Sequence, residues 1–149
     1  MANFVYNKGA EELAKALTDL DGSDLRVLLV KTTYTPNKDH LFVDDGTAND
    51  PASHEITVSG YARQALTGKA VTRDDTNDFA YLDADDLVFA AMAAGETVGG
   101  AVLFRHTGTD TTAPLIAFYD LADTATNGSD INVDWNAPAG GGVLKLASG

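Results

Sequence analysis

Residues 99–120 of this 149-residue chain read GGAVLFRHTGTDTTAPLIAFYD, and this stretch decides the fold. Residues 99–104 and 114–119 are almost continuously apolar, and the polar stretch from Thr107 to Thr112 joins them. A short apolar run bounded by turn residues is typical of a strand buried in a sheet. The two runs therefore predict an antiparallel pair of strands that crosses the core.

The rest of the chain extends this β pattern. Residues 25–31 are short and rich in β-branched and aliphatic side chains, as in the central strand of a sheet. Further strand-like pieces, each ended by turn residues, are expected near 55–58, 61–66, 69–73, 78–83, 86–92, 97–107, 114–121, 130–136 and 142–147. The glycines within 95–100 and 140–142 lack phosphate-loop spacing and are read as bends or bulges between strands.

One helix is predicted, at the N-terminus. Asn7 is a candidate cap for a helix over residues 7–20, because Leu13, Leu17 and Leu20 recur at helical spacing before Asp21-Gly22-Ser23 ends the pattern. No helix-sized amphipathic segment follows, so crossover helices for a parallel sheet are missing. We predict a mainly β, single-domain antiparallel β-sandwich or partly open barrel over 1–149, with an N-terminal arm (1–6), a short helix (7–20) and strands within 25–147.

Charge and composition narrow the function. The chain has 22 acidic and 10 basic residues, for a net charge of −12, so its field repels nucleic-acid backbones and we expect no nucleic-acid partner. It has no cysteine, which excludes thiol chemistry and cysteine-based metal sites. The longest apolar run, 87–94, is far shorter than the ~20 residues that span a bilayer, and residues 1–9 do not read as a secretory signal.

Candidate catalytic and metal-binding residues lack the spacing that such chemistry needs. Six aspartates lie close together, at positions 74, 75, 78, 83, 85 and 86, but without the glycine and glutamate of an EF-hand loop. The interpretation is solvated turn carboxylates, with calcium left open. The three histidines, His40, His54 and His106, lie in separate segments and read as isolated surface or turn residues. A triad of His106, Asp110 and a serine has no nucleophile elbow to support it. We expect no catalysis, cofactor or metal.

Four apolar or aromatic residues are the candidate interface: Phe4, Val5, Tyr6 and Tyr34. Aromatic side chains ahead of a helix or at a strand end are common at partner surfaces. The alternative is a hydrophobic staple against the domain's own helix and sheet. The sequence leaves both interpretations open.

The order of several segments along nearly the whole chain resembles a family of small virion structural proteins of tailed bacteriophages. The likeness rests on the order of the segments and on their residue sequences, and not on a catalytic signature. The segments are residues 5–9, 24–30, 33–40, 60–63, 82–86, 99–102, 114–120 and 134–136.

The resemblance implies a capsid decoration (cement) protein or a tail component. The first hypothesis is a protein on the outer surface of the virion head that binds the major capsid protein and self-associates there as a trimer or other homo-oligomer. An outer position suits the acidic charge, because packaged DNA would repel it. The alternative is a tail or fibre-associated module that binds a host receptor or glycan through loops such as residues 44–53. A small hydrolase or metal enzyme is the third hypothesis.

Overall fold

The computed structural model describes residues 2–147. Within that range it has one α-helix, α1 (Asn7–Ala14), ten strands and three single-turn 3-10 helices at Ala52–His54, Asp110–Thr112 and Pro138–Gly140. The strands are β1 (Phe4–Val5), β2 (Leu25–Lys31), β3 (Gln64–Ala65), β4 (Ala70–Asp74), β5 (Phe79–Asp83), β6 (Leu87–Phe89), β7 (Thr97–Arg105), β8 (Leu115–Ala125), β9 (Ile131–Val133) and β10 (Leu144–Ala147).

The strands form three antiparallel sheets. A five-stranded sheet has the order β1-β8-β7-β2-β3, a three-stranded sheet the order β10-β5-β4, and β6 pairs with β9. The fold is mainly β with one helix, it is not closed into a barrel, and it is consistent with a sandwich-like single domain. The predicted fold class is thereby confirmed.

The predicted central strand pair is β7 and β8. Val102 lies opposite Phe118 and Leu103 opposite Ala117, and β2 pairs with the other edge of β7. β7, and not β2 as the sequence suggested, is therefore the middle strand of the sheet. The register shifts between Val98 and Gly100, which confirms a bulge in this glycine segment. A Cβ atom on Gly100 would lie 2.5 Å from the Phe118 ring, so any side chain there would have to displace the ring.

The five-stranded sheet has a core on each face. Because side chains alternate along a strand, Val27 and Leu29 of β2 enter one cluster and Leu28 and Val30 enter the other. The first cluster includes residues of the two smaller sheets. The second includes Tyr34 and Val43 of the long connection after β2, so irregular chain covers that face of the sheet.

Four predicted strands are much reduced, and two of them, 86–92 and 130–136, keep three residues each as β6 and β9. Residues 55–58 form no strand, and Glu55 makes only an isolated bridge with Val30. Residues 61–66 contain only the two-residue β3. The reason is a side chain that replaces strand pairing, since the Tyr61 hydroxyl accepts the Leu29 N–H at 3.0 Å.

The helix is shorter than predicted and uses a different face. It ends at Ala14, because Ala16 has a φ of 54° and the Leu17 N–H bonds the Glu12 carbonyl in the turn that closes the helix. Its buried residues are Gly9 and Glu12, while Leu17 is 54% exposed. Gly9 permits the close approach, since a Cβ there would lie 2.4 Å from the Ile116 carbonyl oxygen.

The predicted cap and arm also differ from the structure. Asn7 is the first helical residue, and its side chain donates to Asp39 at 2.7 Å instead of capping the helix. The segment ahead of it is no free arm, because Phe4 and Val5 form the edge strand β1 against β8. None of the helical segments within residues 2–147 has the length and apolar character to cross a membrane.

Candidate interaction surface

The four predicted interface residues lie mostly inside the domain. Tyr6 is 0% and Tyr34 is 6% exposed, so neither is available to a partner and that part of the prediction is wrong. The physical reason is β1, whose pairing with β8 directs Tyr6 into the core. Phe4 and Val5 are half-buried, and they point to opposite faces of the sheet, with Val5 against the first cluster and Phe4 against the second.

Phe4, Tyr6, Tyr34 and Phe118 come together as an aromatic cluster. The ring centroids of Phe4 and Tyr6 are 5.1 Å apart in an edge arrangement, and those of Phe4 and Phe118 are 5.4 Å apart. Tyr34 lies 6.0 Å from Phe118. Such aromatic packing stabilises a fold beyond simple burial, which fits the staple interpretation of this segment.

A buried hydrogen-bond chain runs through this cluster. The Tyr6 and Tyr34 hydroxyls are 2.9 Å apart, and the Tyr34 hydroxyl is 2.9 Å from His40 Nδ1. His40 ends a turn, because its N–H bonds the Asn37 carbonyl, but at 8% exposure it is neither a surface residue nor an isolated one. Burial raises the pKa of Tyr34 to about 12 and raises that of Tyr6 further, so both phenols stay protonated near neutral pH. The chain joins the N-terminal strand to the connection after β2.

Asp110, the acid of the triad considered from the sequence, belongs to a structural ion pair with Arg63. The Arg63 guanidinium donates to both oxygens of Asp110, at 2.7 and 2.8 Å, and to both oxygens of Glu55, at 2.8 and 2.6 Å. Arg63 lowers the pKa of the Asp110 carboxyl, and paired carboxylates raise that of the guanidinium. Among residues 2–147, the His106 side chain makes no hydrogen bond to Asp110 or to a serine.

A second buried carboxylate is also committed to the fold. Glu12 is 2% exposed and accepts from Thr18 at 2.8 Å and from Arg105 at 3.0 Å. Burial alone would raise the pKa of Glu12, but the hydrogen bonds from Thr18 and Arg105 lower it on balance. The pair fastens the end of α1 to β7. Its perturbed pKa is explained by structure and needs no catalytic role.

The aspartates between positions 74 and 86 hold turns together. Asp74 accepts from the Thr76 and Asn77 backbone N–H groups, Asp85 accepts from the Thr67 hydroxyl, and Asp86 accepts from the Trp135 backbone. In the part of the chain that the structure describes, no three His, Asp or Glu side chains converge in a way that could hold a metal ion.

The connection proposed for receptor binding is held by its own hydrogen bonds and by bonds from the Val43 and Asp44 N–H groups to the Ala113 and Asp110 carbonyls. Val43 and Asp50 are buried, and the Ala52 N–H bonds the Val43 carbonyl. The Asp50 carboxylate accepts the Ser53 N–H at 2.8 Å. Residues 46–48 at its tip remain exposed. The segment therefore serves first as the cover of one sheet face.

A groove in the surface brings together apolar residues that the sequence did not single out as a site. It has a volume of about 640 Å³, and Leu13, Leu20, Val71 and Leu146 supply its apolar lining. Val71 is 44% and Leu146 42% exposed. Val71 lies opposite the buried Leu82, and the strand register places Leu146 on the same face of its sheet. The groove is thus the open end of the space between α1 and the three-stranded sheet.

Negative charge predominates around this groove, because the lysines and arginines of the chain contact groups of the same molecule. Within residues 2–147, seven of the ten lysines and arginines form ion pairs with acidic side chains. Lys38 and Lys145 lie over the rings of Phe4 and Phe79, and Lys69 donates to the Ser23 carbonyl. The surface offered to a partner is therefore anionic and, at the groove, apolar.

No protein-family model, no curated protein and no solved structure matches this chain. The features of the chain itself that bear on its function are the internal ion pairs, the acidic surface and the exposed apolar groove.

Proposed function

We propose that this chain is a structural virion protein of a tailed bacteriophage, which decorates and stabilises the outer surface of the head by binding the major capsid protein. The observation that carries the proposal is the apolar groove, where Val71 and Leu146 expose over two fifths of their surface on the core-facing side of a sheet. Aliphatic side chains left exposed in a concave surface favour contact with another protein.

The pattern of polar groups supports a binding role over a catalytic one. Glu12, Arg63 and Asp110 are buried or half-buried ionisable groups with perturbed pKa values, and each has an intramolecular partner that explains the shift. A protein that stabilises a shell by adding buried contact area needs no reactive centre, because each contact contributes about 25 cal/mol per Å² of apolar surface. Many copies together then resist the pressure of packaged DNA.

The charge supports the outer surface of the head. A net charge of −12 is repelled by packaged nucleic acid on the inside, while the outside imposes no such cost. Self-association as a trimer or another homo-oligomer on the capsid belongs to the same proposal. Self-association would slow the dissociation of each copy from the capsid, because contacts with neighbouring copies raise the effective concentration at the surface.

The attachment site in this proposal is the groove and not the N-terminal segment alone. Tyr6 is fully buried and β1 is part of the sheet, so removal of residues 2–6 changes the core as well as the surface. The half-buried Phe4 stays a candidate contact at the domain edge.

Copy counting by quantitative mass spectrometry of purified particles tests the proposal. We expect hundreds of copies per particle, and cryo-electron density on the outside of the head. A handful of copies located at the tail would refute the head assignment and support the receptor-binding alternative.

A matched pair of variants tests the attachment surface on the same particles. Val71→Asp places a charge in the groove, and Val88→Asp places the same charge on β6, where Val88 is 49% exposed. We expect reduced occupancy for the first variant and normal occupancy for the second. Equal occupancy of the two would remove the groove from the attachment site.

A further inference from the structure

We infer that the groove between α1 and the three-stranded sheet receives a partner segment whose aliphatic side chains are flanked by lysine or arginine. The inference rests on the proposed function, since it describes the part of the capsid partner that the same site would contact. It adds the chemistry of that partner, which the proposed function leaves open.

The aliphatic part of the inference follows from the lining of the groove. Among the lining residues Leu20 is buried, Leu13 is half-buried, and Val71 and Leu146 are exposed. These residues come from the end of α1 with its following turn and from two strands of one sheet. An aliphatic side chain entering from outside would complete the packing that Leu82 and Leu144 already have further inside.

The basic part follows from the rim. Asp19 and Asp21 line the groove and are exposed, and within residues 2–147 neither carboxylate forms an ion pair with a lysine or arginine. The cations close in sequence to the lining residues already have other partners. Lys15 pairs with Glu11 and Arg73 with Asp75, while Lys145 lies over the Phe79 ring and Lys69 donates to the Ser23 carbonyl. Cations of a partner therefore meet two carboxylates that form no ion pair within residues 2–147.

Charge also selects against a second copy of this chain as the occupant. Two copies would each bring a net charge of −12, and a symmetric contact would place two sets of rim carboxylates in one interface. The negative field of the protein instead attracts a basic segment and raises its association rate, which falls as salt is added.

The test is an NMR titration of the full chain, methyl-labelled at leucine and valine, with three short synthetic peptides of equal length. The first has a pair of leucines flanked by lysines, the second has the same leucines flanked by glutamates, and the third has lysines flanking serines. We expect the first peptide to shift the methyl signals of Leu20, Val71 and Leu146. We expect the other two to bind at least about tenfold more weakly, because each loses one of the two recognised features.

Two sets of variants assign the binding to the groove. Asp19→Asn with Asp21→Asn should weaken the first peptide by about threefold to tenfold, since exposed ion pairs are individually weak. Val71→Ser should weaken it by a similar factor through lost apolar contact, and Val88→Ser should leave it unchanged. Equal binding of the lysine and glutamate peptides, shifts confined to another surface, or no shift at all would overturn the inference.

Analytical sedimentation of the free protein tests whether a second copy of the chain binds in the groove. A dimer that forms at high protein concentration and is dispersed by Val71→Ser would show that the groove binds a second copy, which also overturns the inference. The result is separable from the proposed function. Failure of the peptide test with many copies on the head rejects only the inference, and success with few copies on the particle rejects only the head assignment.

Discussion

Removal of residues 2–6 is expected to destabilise the whole domain. The deletion takes away β1 and the fully buried Tyr6, and it leaves the Tyr34 hydroxyl without one of its two partners. Loss of a buried aromatic side chain costs about 3–5 kcal/mol, and a lost buried hydrogen bond adds about 1 kcal/mol. The sum is close to the lower end of the stability of natural domains, about 5–15 kcal/mol.

Urea unfolding followed by circular dichroism measures this effect. With a slope of about 2 kcal/mol per molar urea, the deletion should lower the midpoint by roughly 2–3 M or leave the protein unfolded in buffer. Tyr6→Phe is the matched control, because it keeps the ring and removes only the hydroxyl. It should lower the midpoint by about 0.5 M.

An unchanged urea midpoint for the deleted protein would contradict a structural role of residues 2–6. Residues 2–6 would then be a detachable arm, as the sequence suggested, and Tyr6 would contribute little to the core. The result also decides how particle experiments are read. If the deletion unfolds the domain, its loss from particles says nothing about a direct contact through Phe4.

Three further changes test other parts of the structure by the same urea assay. The pKa of Glu12 is lower in the folded state, so the unfolded chain binds more protons in acid. The free energy of unfolding should therefore exceed that of Glu12→Gln by its full amount near neutral pH, and the difference should shrink as the pH falls below about 4.3. A constant difference down to about pH 3 would contradict this. Gly100→Ala should cost about 1–3 kcal/mol through its clash with the buried Phe118 ring, and an unchanged midpoint would show that the ring moves freely. Arg63→Met should cost about 2–3 kcal/mol because it leaves the carboxylate of Glu55 half-buried and unpaired, and Glu55→Gln in the same chain should recover part of that loss; no recovery would argue against the ion pair as the cause.

The β architecture could be predicted because its strongest signals are local. The apolar runs that became β7 and β8 need no distant partner to be recognised as strands, and the polar stretch between them indicates a connection. The bulge near Gly99 and Gly100 was also foreseeable, since glycine inside an apolar strand marks a close approach of backbone. In the structure the neighbour at Gly99 is the Thr32 backbone, 2.9 Å from where a Cβ would lie.

The end of the helix could not be predicted from periodicity. Leu13, Leu17 and Leu20 have helical spacing, but Glu12 is held by Arg105, which is 93 residues further along the chain. That contact favours a turn in which Thr18 also reaches the same carboxylate. A pairing over such a distance leaves no trace in the local pattern.

The position of the aromatic candidate residues also depends on contacts between distant parts of the sequence. Phe4, Tyr6 and Tyr34 were recognised as candidates, with a partner surface and an internal staple left open. Only the position of β1 against β8 decides between them, because it turns Tyr6 toward Tyr34, 28 residues away. His40 had no signal at all, since its burial depends on that same pair of rings.

The groove depends on the longest separations. Leu20 follows the helix, while Val71 and Leu146 lie on the two outer strands of one sheet, each paired with the middle strand β5. One local signal was present in Val71, a single aliphatic residue within a polar and charged strand. A lone apolar residue of that kind is common on protein surfaces, so it acquires meaning only beside other exposed apolar groups.

The distribution of charge links the fold to the proposed binding role. The chain has 10 cations for 22 acids, and within residues 2–147 each cation contacts an acid, a ring or a carbonyl of the same molecule. These internal contacts join segments that are distant in sequence, such as α1 to β7 through Arg105. At the groove, Asp19 and Asp21 form no ion pair with a lysine or arginine within residues 2–147, so a basic partner is attracted there while a second copy seated in the groove is repelled. In the proposed role, the acidic surface would select the partner by charge and the apolar groove would hold it by aliphatic contact.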